Sequence, residues 1–136
     1  MREPRRFPPD DPREWLNRAC SDLAIARRRV KDVYLEDLCF HAQQAAEKAI
    51  KAVLIQWNVE FPYVHDLARL LELVAQVGVT VSTDVRKAET LTRFAVVSRY
   101  PGIGRPPSDR DYQKALRIAQ TVVGWAERLV SEARKT

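Results

Sequence analysis

The chain has 136 residues, 46% hydrophobic and 30% charged, with 23 Lys+Arg against 18 Asp+Glu and a formal net charge of +5. That length and apolar content suit one domain with its own core and no need of a disulfide staple. No stretch approaches the roughly 20 apolar residues of a membrane span, and MREPRRFPPDDPREW carries no apolar core of the secretory-signal kind, so a cytoplasmic location without membrane association is expected.

Apolar residues recur at spacings of three and four almost throughout, and the chain has only four Gly. This pattern predicts an all-α fold, an up-and-down bundle of four long helices and one short one. Residues 1–10, with Pro4, Pro8 and Pro9, cannot be helical and read as a flexible basic arm. Residues 11–136 then form a single helical domain. Most of the positive excess lies in residues 1–31, on Arg2, Arg5, Arg6, Arg13, Arg18, Arg27, Arg28, Arg29 and Lys31. A surface of this kind recruits phosphate backbones through counterion release, and it is also an ordinary way of keeping a helix soluble.

Asp11 and Pro12 read as N-cap and first residue of a helix running to about Lys31. Trp15, Ala19, Leu23, Ala26 and Val30 form its apolar face. The second helix, about Leu35 to Gln56, carries Leu38, Ala42, Ala45, Ala49 and Val53 on one side, widened by Cys39, Ala46, Ile50, Leu54 and Trp57. Apolar over so much of its circumference, it is expected at the centre of the bundle. Its small alanines suit the core, a homodimer contact, or both. His41, Gln44, Lys48 and Lys51 form a polar stripe, read as the solvated edge of this helix in preference to a polar groove. Cys20 and Cys39 are expected as reduced, buried thiols.

Asn58 to Val64 is a loop. His65 to Val77 forms a short helix, with Asp66 favourable at its N-terminus, His65 capping or bonding the backbone there, and Gly78 ending it. Val79, Val81 and Val85 alternate like a strand, but the chain has no second strand to pair with it. Ser82 or Thr83 is expected to cap a fourth helix over Asp84 to Ser98, with Val85, Ala88, Leu91, Ala95 and Val96 inward. Pro101 to Pro107 is a loop. Ser108 with Asp111 forms a capping box for a last helix ending near Arg134.

Metal-ligand spacings and phosphate-binding glycine patterns are absent, so no metal and no cofactor is expected. The densest polar constellation is Arg93-Phe94-Ala95-Val96-Val97-Ser98-Arg99-Tyr100, with Arg105 just beyond. On a continuous helix Arg93, Val96, Val97 and Tyr100 share one side. Arginines beside an aromatic can hold a phosphate and stack a base, or cap and pack a bundle end. Asp109 and Asp111, placing negative charge in the first turn of the last helix, argue against an anion at that helix's own N-terminus.

Phe40-His41-Ala42-Gln43-Gln44-Ala45-Ala46-Glu47-Lys48-Ala49-Ile50-Lys51-Ala52-Val53-Leu54, then His65-Asp66-Leu67 with Leu70-Leu71, then Arg99-Tyr100-Pro101-Gly102, together resemble the HEPN domain family (higher eukaryotes and prokaryotes nucleotide-binding). Trp15-Leu16, Ala19, Asp22-Leu23, Ala26 and Trp125 extend the resemblance over nearly all of the chain after the arm. The resemblance implies a helical bundle that homodimerises, often beside a small nucleotidyltransferase in a toxin and antitoxin pair. Many relatives are metal-independent ribonucleases with an Arg, four to six residues, then His; some carry a Tyr two residues after the His that the partner modifies with AMP.

Here the spacing from Arg93 puts Ser98 or Arg99 in the His position and Tyr100 in the Tyr position. Neither Ser98 nor Arg99 shuttles a proton at neutral pH as His does. The expectation is a binding module without the ribonuclease base, with Arg93, Arg99, Tyr100 and Arg105 as nucleotide- or phosphate-binding residues and Tyr100 as a modification site. Nucleotide or RNA, a second copy and a small nucleotidyltransferase are the expected partners. Two other readings remain open: a ribonuclease in which His41 or His65 substitutes for the missing His, and a dimeric scaffold whose arginines are structural.

Overall fold

The computed structural model describes residues 2–97 and 100–135; the candidate residue Arg99 and its neighbour Ser98 lie outside them. Helices α1 (Pro12–Ala26), α2 (Leu35–Gln56), α3 (Leu67–Gln76), α4 (Thr83–Arg86), α5 (Phe94–Val97) and α6 (Asp109–Lys135) follow in order, with a 3-10 turn at Lys87–Leu91 between α4 and α5. Among the described residues there is no strand, and no helix is long and apolar enough to cross a membrane. The fold is the expected all-helical bundle.

Helix α2 is central and packs against both α1 and α6. Ala42, Ala45, Ala46, Ala49 and Ala52 are fully buried on different sides of it, because two neighbouring helices leave room for little more than a methyl group. Capping follows local chemistry. Asp11 Oδ1 accepts the Arg13 N–H at 2.9 Å, Asp66 Oδ1 accepts the Ala68 N–H at 3.1 Å, and Ser82 Oγ accepts the Val85 N–H at 3.2 Å. Ser108 and Asp111 form the reciprocal box at the head of α6, with Ser108 N–H to Asp111 Oδ2 at 2.9 Å and Asp111 N–H to Ser108 Oγ at 3.1 Å.

Helix α1 stops at Ala26, short of the expected Lys31, and Val30 is exposed instead of inward. The Tyr112 hydroxyl donates to the Ala26 carbonyl at 2.6 Å. That carbonyl is one of the last four of the helix and has no intrahelical partner. The chain then turns through Asp32 at φ 69°, a left-handed conformation that Asp tolerates better than most residues, and Arg29 pairs with Asp109 at the head of α6.

The expected fourth helix is three short pieces. The Thr90 hydroxyl donates to the Lys87 carbonyl at 2.7 Å, and Thr92 Oγ1 accepts the Leu67 N–H at the head of α3 at 3.2 Å. These threonines take up backbone groups that a continuous α-helix or a free helix end would leave otherwise placed. Val96 is 49% exposed; Arg93 lies in the turn before α5 and Tyr100 in a bend after it, so neither residue is within a described helix.

The N-terminal segment lies along α1. The Trp15 indole N–H donates to the Pro9 carbonyl at 2.7 Å, the Asn17 amide to the Arg5 carbonyl at 2.8 Å, and the Phe7 N–H to Glu14 Oε1 at 2.9 Å. Of the two thiols, both free, Cys39 is buried as expected and Cys20 is exposed. Cys20 lies at the edge of the apolar face of α1, about 100° around the helix from Ala19.

Candidate functional site

Arg93 precedes α5, Arg105 follows the 100–104 turn, and Asp111 sits in the first turn of α6. Gly102 at φ 84° and Gly104 at φ 73° shape that turn and bring Arg105 back toward the helix. Arg105 Nη2 lies 3.5 Å and Arg93 Nη2 3.9 Å from the same Asp111 Oδ2. Two of the four residues singled out from sequence are thus brought to one point. The Ser108 backbone N–H holds the Asp111 carboxyl below its ordinary pKa, opposed by partial desolvation and assisted by Arg105 and Arg93.

The Arg93 guanidinium carbon lies 4.3 Å from the Phe94 ring centroid, a cation–π contact. It lines a cleft of about 190 Å³ with Thr90, Leu91, Phe94, Asp111 and Lys114. Tyr100 is 55% exposed in the bend after α5 and is not among the residues lining this cleft. Arg93 and Arg105 keep much of their surface in solvent, so their donors remain open to a second anion.

The polar stripe of α2 differs from the expected solvated edge. His41 Nδ1 lies 2.9 Å from Asp22 Oδ1, and Lys48 Nζ donates to Asp22 Oδ2 at 2.6 Å. One turn further in, Glu47 accepts Gln43 Nε2 at 2.8 Å and Lys51 Nζ at 2.9 Å, and lies 2.8 Å from His65 Nδ1. Gln43, Glu47 and Lys51 are buried. The Lys51 ammonium also lies 5.4 Å from the Phe61 ring centroid and 5.9 Å from that of Trp15.

His65 therefore does not cap α3; Asp66 does, and His65 ties the loop before α3 to α2. Each carboxylate holds one imidazole and one ammonium, which offsets the cost of burying it. Glu47 and Lys51, four residues apart on α2, are a sequence-visible pair. The contact between Asp22 and Lys48 joins two helices and has no such local signal. Neither histidine is among the residues lining the Arg93 cleft. No group of three or more His, Cys, Asp or Glu among the described residues could hold a metal ion.

A family model, the HEPN domain, matches residues 12–129. The chain belongs to the HEPN domain family. Two solved structures share the fold. The crystal structure of an archaeal HEPN homologue is 28% identical with a TM-score of 0.71, covering 88% of this chain and 98% of that one. The crystal structure of a protein from Thermus thermophilus is 25% identical, also at 0.71, covering 87% and 97%. No curated protein matches the chain. The matched segment begins at the first residue of α1 and takes in the α2 network and the Arg93 cleft, so both features lie within the HEPN domain itself.

Proposed function

We propose that this HEPN domain is a nucleotide- or RNA-binding module that has lost ribonuclease chemistry. The observation that carries this reading is the convergence of Arg93 and Arg105 on one carboxylate oxygen, at 3.9 and 3.5 Å, beside the cleft. Guanidinium groups that share an anion in a partly exposed site are suited to a phosphate. In the Arg-to-His pattern of the HEPN ribonucleases, the acid-base role at that phosphate belongs to a His. His41 and His65 are instead engaged by Asp22 and Glu47, and the HEPN ribonuclease His position falls on Ser98 or Arg99 by spacing.

The module acts as a homodimer with a small nucleotidyltransferase in a toxin and antitoxin-like pair. The exposed apolar residues Val96 and Ile103, on either side of Tyr100 in sequence, offer contact surface to a protein partner. Tyr100, half-exposed, is accessible to AMP addition. The test is incubation of purified protein with RNA in the presence of a chelator: RNA is expected to remain intact. Metal-free degradation abolished by Arg93→Ala would favour the ribonuclease reading.

A further inference from the structure

The Arg93 cleft does not end at Arg93. A second cleft, of about 460 Å³, shares Thr90, Lys114 and Ile118 with it and continues along α6 to Arg117 and Thr121, facing Asp84 and Lys87. Asp111, Lys114, Ile118 and Thr121 recur at three- and four-residue spacing, so one stripe of α6 forms a wall of a continuous groove. From Asp111 to Thr121 the helix rises about 15 Å.

The charges along this groove are unevenly neutralised. Asp84 pairs with Lys87 at 3.1 Å, and Asp111 is taken by Arg93 and Arg105. Lys114 and Arg117 are exposed and have no ion pair among the described residues. The acids of the groove are spent on other cations, and two basic side chains on successive turns of α6 remain open. Phe94, the aromatic of the lining, is only 3% exposed, so it offers no face for stacking a base.

We propose that the groove carries the sugar-phosphate backbone of a single-stranded nucleic acid away from Arg93, with Lys114 and Arg117 holding phosphates beyond the first. The ligand of the whole groove is thus an oligonucleotide chain, of which a mononucleotide would occupy only the Arg93 end, gripped through its backbone with little preference for sequence. The inference rests on the reading that Arg93 and Arg105 hold a phosphate, since they define where the strand enters. An acidic peptide also carries repeated negative charge, but the groove is continuous with the phosphate-type pair at its head.

The test compares wild type, Arg93→Ala and the double variant Lys114→Ala/Arg117→Ala in titrations with a ten-nucleotide oligouridylate, AMP and a ten-residue oligoglutamate. The varied groove residues are exposed, and circular dichroism checks that the helices persist. The double variant should weaken decamer binding on the order of tenfold and flatten its log-log salt slope by roughly 1.4, as expected for two lost phosphate contacts on a single strand. AMP binding should be unaffected. The charge-keeping variant Lys114→Arg/Arg117→Lys should retain decamer binding. Decamer binding that depends on Arg93 but not on Lys114 and Arg117 overturns the groove while leaving the Arg93 site standing. Oligoglutamate binding as tight as the decamer's overturns the phosphate assignment of the groove. No binding of either nucleotide ligand by wild type overturns both readings.

Discussion

Arg105 Nη2 lies 3.5 Å from Asp111 Oδ2, the same oxygen that accepts the Ser108 N–H and faces Arg93. The carboxylate stands where an incoming phosphate would find its donors. It orients the two guanidinium groups and competes with the ligand for them.

Asp111→Asn should therefore bind AMP or RNA several-fold more tightly than wild type at low salt, with isothermal titration as the measurement. The same substitution weakens the head of α6, because an uncharged amide interacts less well with the helix N-terminus. The Asp111 pKa is depressed in the folded protein. Its stabilising contribution is thus present above the ordinary carboxylate range and lost as pH falls through the depressed value. The difference in Tm between wild type and variant should close at acid pH.

Glu47 tests the polar network. Glu47→Ala leaves Lys51, 7% exposed, without its carboxylate, and should cost about 3–5 kcal/mol in urea unfolding. Glu47→Leu combined with Lys51→Met should recover only part of that loss: the buried charge pair is removed together and the exposed His65 can turn to water, but the buried Gln43 amide loses its Glu47 acceptor in both variants. Equal destabilisation by the single and double changes would contradict the account of a compensated buried pair.

Tyr112→Phe removes the bond that closes α1 at the Ala26 carbonyl. A loss of about 1 kcal/mol is expected from chemical denaturation, accompanied by faster amide exchange in the last turn of α1.

The two thiols should differ in reactivity. Burial pushes the Cys39 thiol up to about 12, and at pH 8 its thiolate fraction is on the order of one in ten thousand. Cys20 is exposed. Alkylation of native protein should modify one cysteine quickly, identified by peptide mapping as Cys20, and the second only on unfolding.

The parts of the fold written in local code were legible in the sequence. Asp11-Pro12 and the Ser108/Asp111 box cap the expected helices, Ser82 caps the first, four-residue piece of the expected fourth helix, and the alanines of α2 are buried at the centre. The end of α1 was not legible, because it depends on Tyr112, 86 residues away from Ala26. The breaks around Thr90 and Thr92 were not legible either, since Thr92 serves the head of a different helix. At the candidate site, Arg93 and Arg105 were named from their neighbours in sequence. In sequence their common partner Asp111 reads as a helix-capping residue and as a charge against an anion at the head of α6, not as a partner of Arg93 and Arg105, and the α2 stripe reads as solvated because the acidic Asp22 facing it lies on another helix.

The central claim is that Arg93 and Arg105 form a phosphate-binding pair in a HEPN domain without ribonuclease chemistry. Its most direct measurement is equilibrium binding of fluorescent RNA and AMP to wild type and to Arg93→Ala/Arg105→Ala, with RNA integrity followed in the same chelator-containing samples. The predicted result is binding by wild type, a loss on the order of tenfold or more in the variant, and intact RNA throughout. Unchanged affinity in the variant, or RNA cleaved by wild type and spared by the variant, would contradict it.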